Sequence, residues 1–389
     1  MGCPELEFIF GGEIVAGIYI HVPFCQSKCH YCDFASWSGK EKMIPVYFER
    51  LKQEIRQFGA HYDRETVDTI YFGGGTPSVV EAAEIEGVLE EIDRQFALSD
   101  PECTLEMNPA SADLEKMRQY RAMGINRVSV GLQAKQDELL KTLGRIHSWQ
   151  DFCQTMEALK TAGIRNVSAD LMFGLPGQTC EMLEASATAL ATFEEIRHIS
   201  CYSLKIEEGT PFERMQVSGK LALPDEDEER KMQHGIIRQL EGLGFKQYEI
   251  SNFAIPGFES RHNSRYWDLS DYIGFGLGAS SYYRGCRYTN TFDLMTYIET
   301  PFCEDIPKEE SHQLSVEEQK GDFMFLGLRR MAGVKDEDYR RLFHQSFFDD
   351  YKEAIPQLEK QGLIQVEGDR IFLSPRGQDF ANQVFMAFV

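Results

Sequence analysis

Tyr19-Ile20-His21-Val22-Pro23-Phe24-Cys25-Gln26-Ser27-Lys28-Cys29-His30-Tyr31-Cys32-Asp33-Phe34 sets three cysteines four and then three residues apart, directly after the strand-like run Ile18 to Val22. Three thiolates converging from one loop are the ligands that soft metals and iron–sulfur clusters select. A closed [4Fe–4S] site takes four cysteines, so three leave one iron without a protein ligand. An open position is what a metal site needs in order to bind a substrate or cofactor. A zinc loop completed by His21 or His30, or three unrelated core thiols, are the other readings of the same residues.

The chain around this loop has 389 residues, 42% of them apolar, enough for two or three packed domains at ~150 residues each. No apolar run reaches the roughly 18 residues of a membrane span. A net charge of −22 opposes binding to nucleic acid and to anionic lipid. Met1 to Gly17 carries Glu5, Glu7 and Glu13 without a basic flank or apolar centre, so it is not read as a signal peptide. Outside the loop, cysteines stand singly in apolar segments, the usage of reduced thiols in a cytoplasmic protein.

From Ile18 to about Leu204, short β-branched runs alternate with amphipathic ones. The strand candidates are Ile18–Val22, Val67–Phe72, Cys103–Met107, Arg127–Val130, Val167–Met172 and His198–Leu204. Between them Tyr47, Leu51, Ile55 and Phe58, then Ile85, Leu89, Ile92 and Phe96, fall on single helix faces. This alternation predicts an α/β fold with a parallel sheet and βαβ crossovers. Six units suit an open, partial (β/α)6 barrel, with a doubly wound sheet as the alternative. Function in such folds gathers at the C-terminal ends of the strands. The Cys loop, Gly73-Gly74-Gly75-Thr76-Pro77, Glu106 with Asn108-Pro109, Gly131 with Gln133, Asp170, and Ser203 all fall at or near those ends.

Each has a plain reading as well. The triple glycine lets a ligand approach backbone groups, or is simply a tight turn. No Gly-Lys-Ser/Thr follows it, so it is not a Walker A loop. Glu106 can accept from an ammonium, or be a charge at a strand end. Arg145 can pair with a ligand carboxylate, or form a surface ion pair. Asp170, inside an apolar strand, must find a partner, either a ribose hydroxyl or protein donors.

Cys25, Cys29 and Cys32, with Tyr31 before the last, resemble the C-x3-C-x2-C signature of the radical S-adenosylmethionine (SAM) superfamily. The wider phrase Tyr19–Phe34 resembles the subgroup of oxygen-independent coproporphyrinogen III dehydrogenase (HemN-type) and the HemW-type haem chaperones. The resemblance runs from Tyr19 to roughly Tyr283. It implies a partial (β/α) barrel, a [4Fe–4S] cluster on the three cysteines and SAM at its open iron. It assigns Tyr19, Tyr31, Gly74, Gly75, Thr76, Glu106, Gln133, Arg145, Asp170 and Ser203 to the SAM site.

Further on, Asp225 to Arg230 opens a helix that buries Met232, Ile236, Leu240 and Leu243, and Tyr248–Ala254 is expected as one strand. His262-Asn263-Ser264-Arg265-Tyr266-Trp267 gathers an imidazole, an amide and two aromatics. An imidazole can ligate haem iron and aromatics can stack on a porphyrin, or the same residues can cap a loop and fill the core. The HemW resemblance implies that His262, Asn263, Tyr266 and Trp267 bind haem. Gly274 to Ala279 resembles GxGxxG only loosely and is expected as close-packed backbone. Lys308–Ser311 is expected as a polar link. Helices over 316–330, 336–343 and 350–361, then a hairpin with a Gly368-Asp369 turn, predict a winged-helix-like α+β module. Over residues 310–389, 10 Lys and Arg against 14 Asp and Glu give a net charge of −4, the wrong sign for a DNA reader, and point to packing or protein docking. The resulting division is an extension 1–17, the barrel 18–205, a barrel extension 206–308 and the C-terminal module 309–389.

The expected function is that of a haem chaperone passing haem to an acceptor protein, with no nucleic-acid or membrane partner; a homodimer is admitted but not specified. The alternative is an enzyme that generates a 5′-deoxyadenosyl radical, such as the coproporphyrinogen dehydrogenase. Two departures set that enzyme aside. Its signature continues into a further C-x-C cysteine, whereas Asp33 and Phe34 follow Cys32, and its longer N-terminal substrate region has no counterpart before Tyr19.

Overall fold

The structure, a computed structural model, describes residues 15–62 and 64–389. Residues 1–14 of the expected extension lie outside them.

Six strands run parallel in sequence order: β1 (Val15–Val22), β2 (Thr66–Gly74), β3 (Ala97–Met107), β4 (Arg127–Gln133), β5 (Val167–Phe173) and β6 (Ile196–Ser203). The crossovers are α1 (Ile44–His61), α2 (Ala82–Gln95), α3 (Leu114–Ala122), the pair α4 (Asp137–Thr142) and α5 (Trp149–Ala162), and α6 (Cys180–Leu190). This is the expected partial barrel, open rather than closed.

Side chains alternate along each strand, which gives the sheet two different faces. Ile18, Ile20, Ile70, Phe72, Leu105, Val128, Val130 and Ala169 are fully buried or nearly so, in one cluster with Tyr47, Leu51 and Ile55 of α1 and Ile85, Val88 and Ile92 of α2. At about 25 cal/mol per Å² of apolar surface, this layer is the main stabilising term of the barrel. The intervening positions are polar: Tyr19, Thr69, Tyr71, Thr104, Glu106, Arg127, Ser129, Ser168, Asp170, His198 and Ser200. These line the inside of the half-barrel.

The sheet continues past both edges of the six. After α7 (Pro211–Val217) and α8 (Glu226–Gly242), the hairpin of β7 (Lys246–Glu249) and β8 (Asn252–Ala254) pairs antiparallel with β6. The single strand expected over Tyr248–Ala254 is therefore two. The Glu249 carboxylate accepts from the Ser251 amide and the Asn252 side chain, which turns the chain at Ile250–Ser251. Then come α9 (Arg261–Trp267) and β9 (Tyr272–Phe275), which lies parallel beside β1. The edge is completed by β10 (Ser280–Tyr283), β11 (Cys286–Asn290), α10 (Leu294–Glu299) and β12 (Lys308–Gln313). Lys308–Ser311, expected as a link, forms part of β12. Charged, exposed residues suit an edge strand because they block further pairing. Gly274 packs against the Ser280 carbonyl and Gly276 (φ +101°) against the Tyr47 hydroxyl, so the Gly-rich run is close-packed backbone.

The C-terminal module has its own core of Met324, Leu328, Tyr339, Phe347 and Ile371. It is built from α11 (Val316–Gly327), β13 (Val334–Lys335), α12 (Asp336–Phe343), α13 (Phe347–Asp350), α14 (Ala354–Lys360), and the hairpin β14 (Ile364–Glu367)–β15 (Arg370–Leu373). The third expected helix, 350–361, is interrupted between α13 and α14. Among the described residues no helix is long and apolar enough to cross a membrane.

Candidate functional site

The Cys loop leaves β1 and is tied at both ends and in the middle. Cys25 N donates to Trp37 O at 3.0 Å and Trp37 N to Pro23 O at 2.8 Å. In the middle, His30 N donates to Leu143 O at 2.9 Å and Phe212 N to His30 O at 3.0 Å. The glycine run docks along the strand end, with Gly75 N on Val22 O (2.9 Å) and Thr76 N on Phe24 O (2.8 Å). A Cβ on Gly75 would stand 2.8 Å from each of those two carbonyl oxygens, so only glycine permits the approach. The loop backbone is thereby fixed by protein contacts alone. Cys25, Cys29 and Cys32 are half-buried and form no disulfide among the described residues.

Of the two histidines offered as zinc ligands, His21 has both ring nitrogens engaged and His30 has one. His21 is buried, with Nδ1 on the Tyr19 hydroxyl (3.0 Å) and Nε2 on Ala35 O (2.8 Å). His30 turns Nδ1 to Thr142 O at 3.0 Å and packs on Gly144 and Phe212. Among the described residues no three His, Cys, Asp or Glu side chains gather to hold a single ion.

Beside the loop a hydrogen-bonded chain joins its two ends. Arg145 Nη2 donates to the Tyr31 hydroxyl at 3.0 Å, and Nη1 donates to Asn108 Oδ1 at 2.6 Å. Asn108 Nδ2 donates to Thr76 Oγ1 at 3.0 Å, and that hydroxyl donates to Cys25 Sγ at 3.5 Å. Among the described residues Arg145 Nε is buried with no partner, a donor that a ligand carboxylate would satisfy. The space beside it is kept open by Gly131, where a Cβ would lie 3.1 Å from Asn108 Oδ1 and from Gln133 Nε2 and 3.2 Å from Arg145 Nη2. Gln133 sits there with φ +73°, a conformation that a non-glycine residue adopts at some cost.

A second group lies around Glu106. Tyr71 donates to Glu106 Oε1 at 2.8 Å and Gly74 N to Oε2 at 3.2 Å. Burial pushes the Glu106 carboxyl up to about 7, against the Tyr71 and Gly74 hydrogen bonds, with Asp170 nearby adding to the rise. Asp170 is also raised, by burial first, while Ser200, Ser129 and Arg127 favour its charge; Ser129 donates to it at 3.2 Å. An ammonium placed at Glu106 and a hydroxyl at Asp170 would each meet a buried carboxylate, whose oxygens can accept more than the bonds they already make. Ser203 is turned to Glu229 of α8 instead.

The His262 stretch forms α9, and the helix points its imidazole into the half-barrel. His262 Nδ1 meets Thr69 Oγ1 at 2.9 Å and Nε2 meets the Tyr266 hydroxyl at 2.9 Å. The ring lies against Tyr71, centroids 5.1 Å apart, and burial pushes its pKa down to about 3. Neither ring nitrogen is available to a haem iron in this conformation. Tyr266 packs edge-on against Tyr272, Asn263 is half-buried, and Arg329 lies over the Trp267 ring at 4.5 Å.

The structure therefore joins Cys25, Tyr31, Thr76, Gln133 and Arg145 around Asn108, and Tyr19, Gly74 and Glu106 around Tyr71. Sequence reasoning noted Asn108 only as a strand-end residue and did not single out Tyr71 or Arg127. The available signal was alternation: Tyr71 and Arg127 occupy the same inward-facing set as Glu106 and Ser129.

A half-barrel whose strand ends carry a three-cysteine loop, a Gly-rich turn and this carboxylate–guanidinium set is a radical SAM fold. Residues 19–190 match the Radical SAM superfamily and residues 314–380 the HemN C-terminal domain. The coproporphyrinogen III oxidase HemN of Escherichia coli superposes with a TM-score of 0.85 at 20% identity, over 98% of this chain and 91% of that one. "Heme chaperone HemW" of Bacillus subtilis is 36% identical over 95% of this chain and 98% of its own length. The protein of that name from Lactococcus lactis is 38% identical over 95% and 96%. The chain belongs to the HemW family.

Proposed function

We propose that this chain binds haem and passes it to an acceptor protein, on a scaffold that carries a [4Fe–4S] cluster on Cys25, Cys29 and Cys32 with SAM at the open iron. When bound, such a cluster supplies an electron carrier and an iron that can be ligated by SAM. Arg145, aligned by Asn108 and Tyr31, would take the carboxylate of SAM; Glu106 its ammonium; Asp170 its ribose. Gly74, Gly75, Thr76, Tyr19 and Gln133 would shape the walls. The observation that carries this reading is the buried Nε of Arg145, without a partner among the described residues, on a guanidinium bonded to Tyr31 of the three-cysteine loop.

The haem part rests on the HemW relatives and on the His262–Trp267 stretch. Iron ligation by His262 would require α9 to release the bonds to Thr69 and Tyr266. The acceptor and any homodimer are left to experiment, and a cytoplasmic setting follows the cysteine usage. The test is a haem titration of the reconstituted protein followed by visible absorption, then transfer to a haem-free acceptor. Saturable binding at one haem per chain, with transfer, supports the proposal. No binding, with SAM cleavage on reduction, would replace it with the radical-enzyme reading.

A further inference from the structure

We infer that Asn108 is a positioning residue that fixes the hydrogen bond from Thr76 to Cys25 and so raises the reduction potential of the cluster bound there. The inference rests on the cluster reading above and adds to it a residue and a direction of tuning.

Arg145 has only donors to offer, so the Asn108 atom 2.6 Å from its Nη1 must be the carbonyl oxygen. The other end of the amide is then an NH2 group, and it donates to Thr76 Oγ1 at 3.0 Å. The Thr76 hydroxyl, with that hydrogen received, directs its single proton to Cys25 Sγ at 3.5 Å. Flipping the amide would set donors against donors at the Arg145 end. The orientation is thus decided by the guanidinium, three residues removed from the sulfur. Thr76 is buried and its amide is bonded to Phe24 O, which leaves the side chain little freedom to choose another partner.

The chain has one polarity throughout, from a cation through an amide and a hydroxyl to a thiolate. Hydrogen bonds aligned in this way strengthen one another. A donor on a cluster sulfur favours the more negative, reduced state, and hydrogen bonds to the sulfurs are among the levers that set cluster potentials. Asn108 itself does not reach the sulfur; it acts by setting the hydroxyl of Thr76.

The experiment is a redox titration, monitored by electron paramagnetic resonance without SAM, of the anaerobically reconstituted full chain. Thr76→Val, Asn108→Ala and the double variant are compared with wild type at matched iron and sulfide content. Each single change is expected to disfavour reduction about tenfold, a fall of about 59 mV for one electron. The double variant is expected to match Thr76→Val alone, because Asn108 acts through that hydroxyl, and Thr76→Ser is expected to restore the potential. Asn108→Asp keeps the bond from Arg145 but draws the Thr76 proton to itself, so it too should lower the potential. It stands in for the alanine variant if that fails to load. A wild-type potential in the Asn108 variants, or an additive double variant, would overturn the inference. Wild-type protein that loads no cluster on the three thiols would overturn the cluster reading beneath it, a different result from an unshifted potential.

Discussion

The His262 imidazole lies 25° from parallel against the Tyr71 ring, and Tyr71 donates to Glu106. A residue of the expected haem stretch thus supports, through one aromatic ring, a carboxylate of the expected SAM site. His262→Ala would empty a buried position and orphan Thr69 and Tyr266. We expect it to lose about 3 kcal/mol of stability and to weaken SAM binding several-fold. Chemical denaturation and a SAM titration of the same preparation check this. Unchanged stability would show that the ring has no packing role. A haem titration of this variant therefore needs the stability measurement beside it.

Glu106 and His262 give opposite pH slopes. The Glu106 carboxyl is raised from 4.5 to about 7 in the folded chain. Its contribution to stability is fully present below pH 4.5 and is lost as pH rises through about 7, roughly 3 kcal/mol in all. Glu106→Gln should remove that decline, measured as denaturation midpoints against pH. An ammonium bound there favours the ionised carboxylate, so SAM affinity should rise as pH passes 7, and binding near neutrality should release a proton detectable by calorimetry in buffers of different ionisation enthalpy. The His262 imidazole is lowered from 6.5 to about 3, so its contribution is present above pH 6.5 and is lost as pH falls.

Arg145→Lys retains the charge and loses the planar fork that reaches Tyr31 and Asn108 together. We expect at least a tenfold loss of SAM affinity, about 1.4 kcal/mol, with iron and sulfide content unchanged. Wild-type affinity would take Arg145 out of the site.

Gly131→Ala would place a methyl 3.1–3.2 Å from Asn108, Gln133 and Arg145. Because the neighbours it meets are side chains and not backbone, the fold should survive with a loss of about 1 kcal/mol, while SAM binding weakens about tenfold. Equal affinity in the two proteins would show that the space beside Gly131 is not used by a ligand.

The parallel half-barrel was legible because buried strands and amphipathic helices leave strong periodic signals, as in Val167–Met172 and in Tyr47–Phe58. The positions after each strand were legible because such sheets build sites there. What sequence missed was partnership. Asn108 reads as a turn residue until Arg145, 37 positions on, is seen to donate to it. Glu249 and Asn252 reverse the chain inside what reads as one strand, and Lys308–Ser311 looks like a link because an edge strand has no need of apolar residues. The His262 stretch carries the residue types of a haem site, yet α9 turns its imidazole inward, an orientation that composition does not encode.

In the proposed site the three-cysteine loop holds a cluster with one iron left for SAM. Mössbauer spectroscopy of isotopically enriched, reconstituted protein, before and after addition of SAM, tests it most directly. The expected result is a [4Fe–4S] spectrum in which a single iron site changes on SAM addition, and loss of the cluster in Cys25→Ala. A spectrum in which no site responds to SAM, or a Cys25→Ala protein with full iron and sulfide, would contradict it.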